Sequence, residues 1–278
     1  MLECRKNEDE TNAARAAAQA MNEAILKTIG ASAILCDASI AAQVGDDWFD
    51  PAYWRTAAVA GGRGAAWRVQ TPAGEAVLRH FRRGGRIARV LGDRYVWAGA
   101  DQARPFVEFR LLQRLQALGL PVPQPLAARY RRERLLFYRA DLLTRLIPDA
   151  TTLAEGLAQR RVDAAAMRRV GATIARFHAA GAYHADLNAH NVLFAGDPSP
   201  DSAGSQVYLI DFDRGELRVQ HQGWPQENLS RLHRSLHKIG AAADGEARFE
   251  RELWQPLQDA YTDARQQFDN GAPPAAGP

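Results

Sequence analysis

The sequence is poor in cysteine and poorer still, for its basic charge, in lysine, and each shortage removes a class of protein. Its 278 residues hold two cysteines, Cys4 and Cys36, both upstream of every chemical motif. Neither a disulfide framework nor a cysteine-ligated zinc site is supported, and a reducing cytosol is the expected compartment. Lysine occurs only as Lys6, Lys27 and Lys238, so chemistry that needs a lysine in the middle of the chain has none to use. Long apolar runs are missing as well. The most apolar stretch, Ala24 to Ala42, is interrupted by Lys27 and Asp37, so no membrane span is expected. The amino terminus lacks the charged, then apolar, then small-residue order of a secretion signal.

What the chain has is arginine. The formal net charge is only +3, but Arg79, Arg82, Arg83, Arg86, Arg89 and Arg94 form one cluster and Arg129, Arg131, Arg132 and Arg134 another. Such clusters are either solvated surface or a face for an anionic partner, phosphate or an acidic membrane. No recognised binding motif accompanies them, so nucleic acid is not expected as a partner. With 46% hydrophobic and 24% charged residues, the chain has an ordinary globular composition and length enough for one large domain or two lobes.

Patterning divides the chain. Thr11 to about Thr28 is alanine-rich with good helix formers, which predicts a helical or frayed extension within residues 1–45. After the loop-like Asp46-Asp47-Trp48-Phe49-Asp50-Pro51, two alternating runs, Ala65 to Gln70 and Glu75 to Phe81, flank Thr71-Pro72-Ala73-Gly74 and predict a hairpin. Pro105 to Leu118 places Phe106, Phe109, Leu112 and Leu115 at helical spacing, with Gly119 and Pro121 as stops. Strands are predicted near Leu126 to Tyr130 and Leu135 to Leu143. Residues 46–147 thus read as a small, mainly β lobe with one helix. Residues 148–269 read as mainly helical, with helices at Leu153 to Gln159, Ala164 to Ala180, about Glu227 to Ile239 and about Glu246 to Phe268. Short strands are expected at Val192 to Phe194 and Val207 to Ile210, and residues 270–278 form a Pro/Gly/Ala tail. The fold class is α+β.

The strongest chemical signal is His184-Ala185-Asp186-Leu187-Asn188-Ala189-His190-Asn191, with Asp211-Phe212-Asp213 beginning twenty residues after Asn191. Phosphoryl transfer needs a carboxylate to orient or deprotonate an attacking hydroxyl, and oxygen ligands for Mg²⁺ on the nucleotide phosphates. Asp186 fits the first need; Asn191 and Asp211 fit the second. Isolated Asp and Asn residues in loops are usually caps or turn formers, but the joint spacing is that of a kinase catalytic loop and metal-binding strand end. Ahead of the hairpin, Gly61, Gly62, Arg63 and Gly64 form a turn whose backbone amides are suited to approach phosphate oxygens; by itself such a cluster is only a turn. The second hairpin strand ends on Arg79, where a protein kinase carries the lysine that contacts phosphate and pairs with a helix glutamate. Glu108 is the matching glutamate, and no lysine is near. Arginine keeps the charge but presents a planar, two-pronged head.

These residues resemble the 3-deoxy-D-manno-octulosonic acid (Kdo) kinases, lipopolysaccharide core kinases of the protein-kinase-like group. The likeness runs from about Phe49 to Ile239 and includes Phe49-Asp50-Pro51-Ala52-Tyr53-Trp54, the Gly-Gly-Arg-Gly turn, Leu78-Arg79-His80-Phe81-Arg82-Arg83-Gly84-Gly85, Glu108, the His184 to Asn191 loop and Asp211-Phe212-Asp213-Arg214-Gly215. It implies a bilobal fold with ATP between the lobes and Mg²⁺ as a further cofactor. It also implies phosphorylation of the 4-hydroxyl of a Kdo residue on a lipid A precursor, at the cytoplasmic face of the inner membrane. In that family arginine at the Arg79 position is the expected residue. Ala185 stands where an arginine would sense a phosphorylated activation loop, Asp213 replaces the glycine of Asp-Phe-Gly, and no Ala-Pro-Glu segment follows, so a protein substrate is not expected. Arg82, Arg83 and Arg86 are candidates to meet anionic lipid. Two rival readings are an aminoglycoside or choline-type phosphotransferase, which shares the His-x-Asp loop, and a non-catalytic kinase-like module that binds a lipid or partner. His184 and His178 read as structural.

Overall fold

Ser32–Asp37 is a strand buried along its whole length, although its neighbourhood is rich in helix formers. This strand, β2, follows the edge strand β1 (Ala24–Ile29), pairing Ala24 with Asp37 through Ile29 with Ser32. The expected helical extension is therefore corrected over this stretch. Helix propensity is a weak prior, and burial against a sheet on both faces outweighs the few tenths of a kcal/mol per residue that it supplies. The computed structural model describes residues 24–54, 57–58, 66–82, 92–133, 136–199, 205–219 and 223–270. The rest of the expected extension, Thr11 to Glu23, and the tail after Asn270 lie outside them.

Two compact units are present. The first takes the chain as far as Phe109 together with Gln124–Leu146; the second takes Arg110–Pro123 and everything from Ile147. The expected division at residue 147 left the segment 110–123 with the first lobe, whereas it packs with the second.

The first unit is an antiparallel sheet. Its further strands are β3 (Ala57–Ala58), β4 (Ala66–Thr71), β5 (Gly74–His80), β6 (Tyr95–Val96), β7 (Pro125–Glu133) and β8 (Phe137–Arg145). They run in the order β1-β2-β7-β8-β5-β4-β3, with β6 added on β8. The β4–β5 hairpin closes over Thr71 and Gly74, where Thr71 Oγ1 donates to the Gly74 carbonyl at 2.7 Å. Gly74 has φ +103°, a region open to glycine. One face of the sheet, with Ala76, Leu78, Val69, Ala127, Leu143, Ile34 and Cys36, is covered by Ile40, Trp48 and Phe49 from two short 3₁₀ turns and by Val44 between them. The segment read as a loop at residues 46–51 is thus core. Lys27 fixes its start by donating to the carbonyls of Ala41 and Val44 at 2.7 and 2.8 Å.

Helix α1 (Arg104–Ala117) begins in the first unit and ends in the second. The second unit is mainly helical: α2 (Leu153–Ala158), α3 (Ala164–Ala179), α4 (Trp224–Lys238), the short α5 (Glu246–Phe249), a wide π turn (Glu250–Trp254) and α6 (Gln255–Asp269). Thr152 and Glu155 form a reciprocal capping box on α2, and Asp163 caps α3 through Ala166 N at 2.8 Å. The single helix expected from Glu246 is broken by the π turn, which brings Phe249, Trp254 and Leu257 all inward. Gly171 of α3 lies against α6 so closely that an added Cβ would stand 2.1 Å from the Leu257 carbonyl oxygen. Small strands complete the unit: β9 (Ala150–Thr152), β10 (Ala182–Tyr183), β11 (Val192–Ala195), β12 (Gln206–Leu209) and β13 (Glu216–Leu217). Among the described residues, no helix is long and apolar enough to cross a membrane.

Candidate active site

Two antiparallel pairings bring the candidate residues of the second unit together. Strand β11 pairs with β12, matching Val192 with Leu209, and β10 pairs with β13, matching Tyr183 with Glu216. The chain between β10 and β11 therefore runs beside the chain between β12 and β13. The first segment carries Asp186 and Asn191; the second carries Asp211.

Hydrogen bonds lock these segments. The Asn191 side chain donates through Nδ2 to the Asp186 carbonyl at 2.9 Å, and Ile210 N donates to the Asn191 carbonyl at 3.1 Å. His184 Nε2 meets the Ile210 carbonyl at 2.8 Å, while His184 Nδ1 accepts from Asp186 N at 3.1 Å. One nitrogen must donate and the other accept, so the ring is the neutral tautomer with its proton on Nε2. Burial holds the His184 pKa below its usual value, overcoming the bond to Ile210 and the pull of Asp211 and Asp186. His184 is thus a brace for the loop, as expected. His178 has the same character: it is buried against Tyr261, whose hydroxyl is 2.9 Å from Nδ1.

The loop is anchored from below. Leu187 and Ala189 are fully buried, Ala154 N donates to the Ala189 carbonyl at 3.0 Å, and Ser235 Oγ accepts from Ala189 N at 3.1 Å. Asn228 takes both backbone groups of His184, accepting from its N at 3.2 Å and donating to its carbonyl at 3.0 Å. Asn228 and Ser235 were missed in the sequence. Their signal is two polar residues seven apart on α4, on the side that also buries Leu232.

Above this base the Asp186 carboxylate is exposed, accepting a 3.1 Å bond from Asn188 Nδ2. Asn191 is buried, and with its amide nitrogen committed to a carbonyl its oxygen is the atom offered to a cation. Asp211 adopts φ +63°, a left-handed conformation that aspartate tolerates better than most residues. The following Phe212 is clamped between the Phe177 ring, stacked at 5.7 Å, and the His184 ring at 4.6 Å. Gly215 N closes the turn on the Phe212 carbonyl at 2.7 Å. The oxygen donors of Asn191 and Asp211 suit a hard cation such as Mg²⁺.

In the first unit, Arg79 Nη2 lies 2.5 Å from Glu108 Oε2, so the predicted strand-to-helix pair is formed. Its guanidinium also sits 4.5 Å from the Phe81 ring centroid. The opposite face of β5 carries a network that the sequence reading overlooked. His80 Nδ1 pairs with Asp141; Asp141 accepts from Arg129 Nε at 2.8 Å; Arg129 Nη1 donates to the Asp46 backbone and side-chain oxygens, each at 2.9 Å. These partners are far apart in sequence, which hides the network from local pattern. Gly61, Gly62, Arg63 and Gly64 lie outside the described residues, as do Arg83 and Arg86; Arg82 is within them.

A family model described as the lipopolysaccharide kinase (Kdo/WaaP) family matches residues 54–261. A 3-deoxy-D-manno-octulosonic acid kinase of Xanthomonas axonopodis pv. citri (strain 306) is 49% identical over 213 residues, covering 76% of this chain and 82% of that protein. Another, from Stenotrophomonas maltophilia (strain R551-3), is 43% identical over 244 residues, covering 86% and 90%. Among solved structures, WaaP in complex with acyl carrier protein aligns at a TM-score of 0.45 and 15% identity, over 77% of this chain and 83% of that one.

Proposed function

The chain belongs to the lipopolysaccharide kinase (Kdo/WaaP) family, and we propose from that premise that it phosphorylates the 4-hydroxyl of a Kdo residue on a lipid A precursor, with ATP as donor. The observation that carries the reading is the locked loop, in which Asn191 bonds the Asp186 carbonyl and His184 bonds the Ile210 carbonyl beside Asp211.

In the proposed reaction the sugar hydroxyl oxygen bonds to the γ-phosphorus, the bond from that phosphorus to the β–γ bridging oxygen breaks, and ADP leaves. Asp186 orients the hydroxyl and takes its proton. Asn191 and Asp211 would hold Mg²⁺, which would offset the charge of the nucleotide phosphates. Arg79 contacts phosphate, and Glu108 keeps its guanidinium aimed. Gly61, Gly62, Arg63 and Gly64 cover the phosphates with backbone amides. The overall fold proposed is protein-kinase-like and bilobal.

The acceptor is lipid-linked, so the place of action proposed is the cytoplasmic face of the inner membrane, held peripherally. Arg82, Arg83 and Arg86 would each contribute about 1 kcal/mol near an anionic surface.

The test is ATP-dependent transfer to a Kdo-bearing lipid A precursor by the wild type and by Asp186→Ala, read by product mass, with free sugars and an aminoglycoside as rival acceptors. One phosphate gained on Kdo, and none with the variant, supports the reading. Transfer to a rival acceptor alone overturns the substrate, and transfer to no acceptor overturns the activity.

A further inference from the structure

Away from the catalytic loop, α4 carries His233 and His237 one turn apart, while Glu246 in α5 and Glu250 at the start of the π turn are likewise one turn apart. The two pairs face each other. His233 Nε2 is 3.1 Å from Glu250 Oε1, and His237 Nε2 is 3.4 Å from Glu246 Oε1. One ligand atom from each of the four residues lies within 4.8 Å of all the others.

We propose that His233, His237, Glu246 and Glu250 form a binding site for a divalent transition-metal ion of the Zn²⁺ class. The spacing fits such an ion. Zinc binds imidazole nitrogen and carboxylate oxygen at about 2.0–2.2 Å, so the edges of a tetrahedral site are roughly 3.3 Å long. The two paired distances already match that edge, and the remaining ones need a contraction that side-chain rotation on adjoining turns supplies. Two imidazoles with two carboxylates favour zinc, nickel or copper over magnesium or calcium, which take oxygen ligands. The site is therefore chemically distinct from the oxygen pair of Asn191 and Asp211.

Two further features point to a ligand. His237 Nε2 is shielded from solvent yet makes no hydrogen bond, and a bound metal would satisfy that nitrogen. The rings are also held in place: His233 packs at 4.6 Å on Trp254 and 5.5 Å on Phe249, and His237 at 4.7 Å on Phe249. Aromatic walls of this kind fix ring orientation before a ligand arrives, lowering the ordering cost of binding. The ion would tie α4 to the turn after α5. Helix α4 also holds the catalytic loop through Asn228 and Ser235.

The proposal is independent of phosphoryl transfer, and its test reads binding. Tag-free protein stripped with EDTA is titrated with Zn²⁺ against a chromophoric chelator, and with Co²⁺ for the visible absorption of a four-coordinate ion. The expected result is one equivalent of each metal, a raised melting temperature, and an affinity at least ~100-fold lower in His237→Gln, since partners outside the first ligand shell already cost up to about that much. Glu246→Gln alters an exposed residue and carries the test if the histidine variant folds poorly. Failure of the wild type to bind Zn²⁺ would leave only two histidine–glutamate contacts and overturn the proposal. Unchanged Zn²⁺ binding in Glu246→Gln would overturn it equally.

Discussion

Arg79 and Glu108 meet at 2.5 Å with very different exposure: the glutamate side chain is 2% accessible and the arginine 24%. Glu108 is a buried partner, and the arginine side chain is the partly exposed member of the pair. Lysine would keep the charge but lose the planar fork that binds a carboxylate and a phosphate oxygen together. Arg79→Lys is expected to lower kcat/KM by ~10- to 100-fold, the effect of about 1.4–2.7 kcal/mol, while the melting temperature changes little. Near wild-type turnover in Arg79→Lys would rule out the proposed phosphate contact of Arg79.

Asp186→Asn keeps the shape of the loop, because the Asn188 bond to the side chain has a neutral acceptor available. A positioned general base contributes roughly 10²- to 10⁴-fold, and a loss of kcat in that range with unchanged thermal stability is expected. Steady-state kinetics beside a thermal melt separate the two quantities. A fall in both would make Asp186 a structural residue.

Acid should weaken the second unit through His178. Burial lowers its pKa from 6.5 to about 3. Between those values the unfolded chain binds a proton that the folded chain does not, so stability rises with pH across the window and falls as pH drops from 6.5 toward 3. One such group contributes a slope of at most about 1.4 kcal/mol per pH unit. His178→Gln retains an acceptor for the Tyr261 hydroxyl and is expected to flatten the pH dependence of urea midpoints between pH 6 and pH 4 by up to that slope, where the approximate limits follow from the same linkage. An unchanged profile would show that other groups set the acid sensitivity.

Gly171→Ala sets helix propensity against packing. Alanine is the better helix former by about 1 kcal/mol, yet its Cβ would meet the Leu257 carbonyl oxygen at 2.1 Å. Backbone does not yield as a side-chain tip does, so a net loss of at least ~3 kcal/mol is expected, from forced separation of α3 and α6. Chemical denaturation reads it directly, and a stabilised variant would contradict the close approach.

The candidate residues stood out in the sequence more than the fold around them did. Asp186, Asn191, Asp211, Arg79 and Glu108 each belong to a short motif that can be read by itself, and the β4–β5 hairpin announces itself by alternation around Thr71 to Gly74. The hairpin of β1 and β2 does not. Its alanines and leucines suit a helix, and what makes them strand is pairing with β7, matching Ser32 with Arg131 far along the chain. The π turn at Glu250–Trp254 was hidden for a related reason: it is set by where Phe249 and Trp254 must point. Likewise, the spacing of Asn228 and Ser235 marks a polar pair on the side of α4 that buries Leu232 but does not reveal that Asn228 bonds both backbone groups of His184.

The β2–β7 pairing also decides how far the protein can be shortened. The family match begins at residue 54, which invites a recombinant fragment starting there. Such a fragment discards β2, Trp48 and Phe49, uncovering Val69, Leu78 and Leu143 and leaving β7 with an open row of amides and carbonyls. Open edges beside exposed apolar surface recruit other chains. Light scattering should rise with concentration for that fragment and stay flat for one that begins at Ala24.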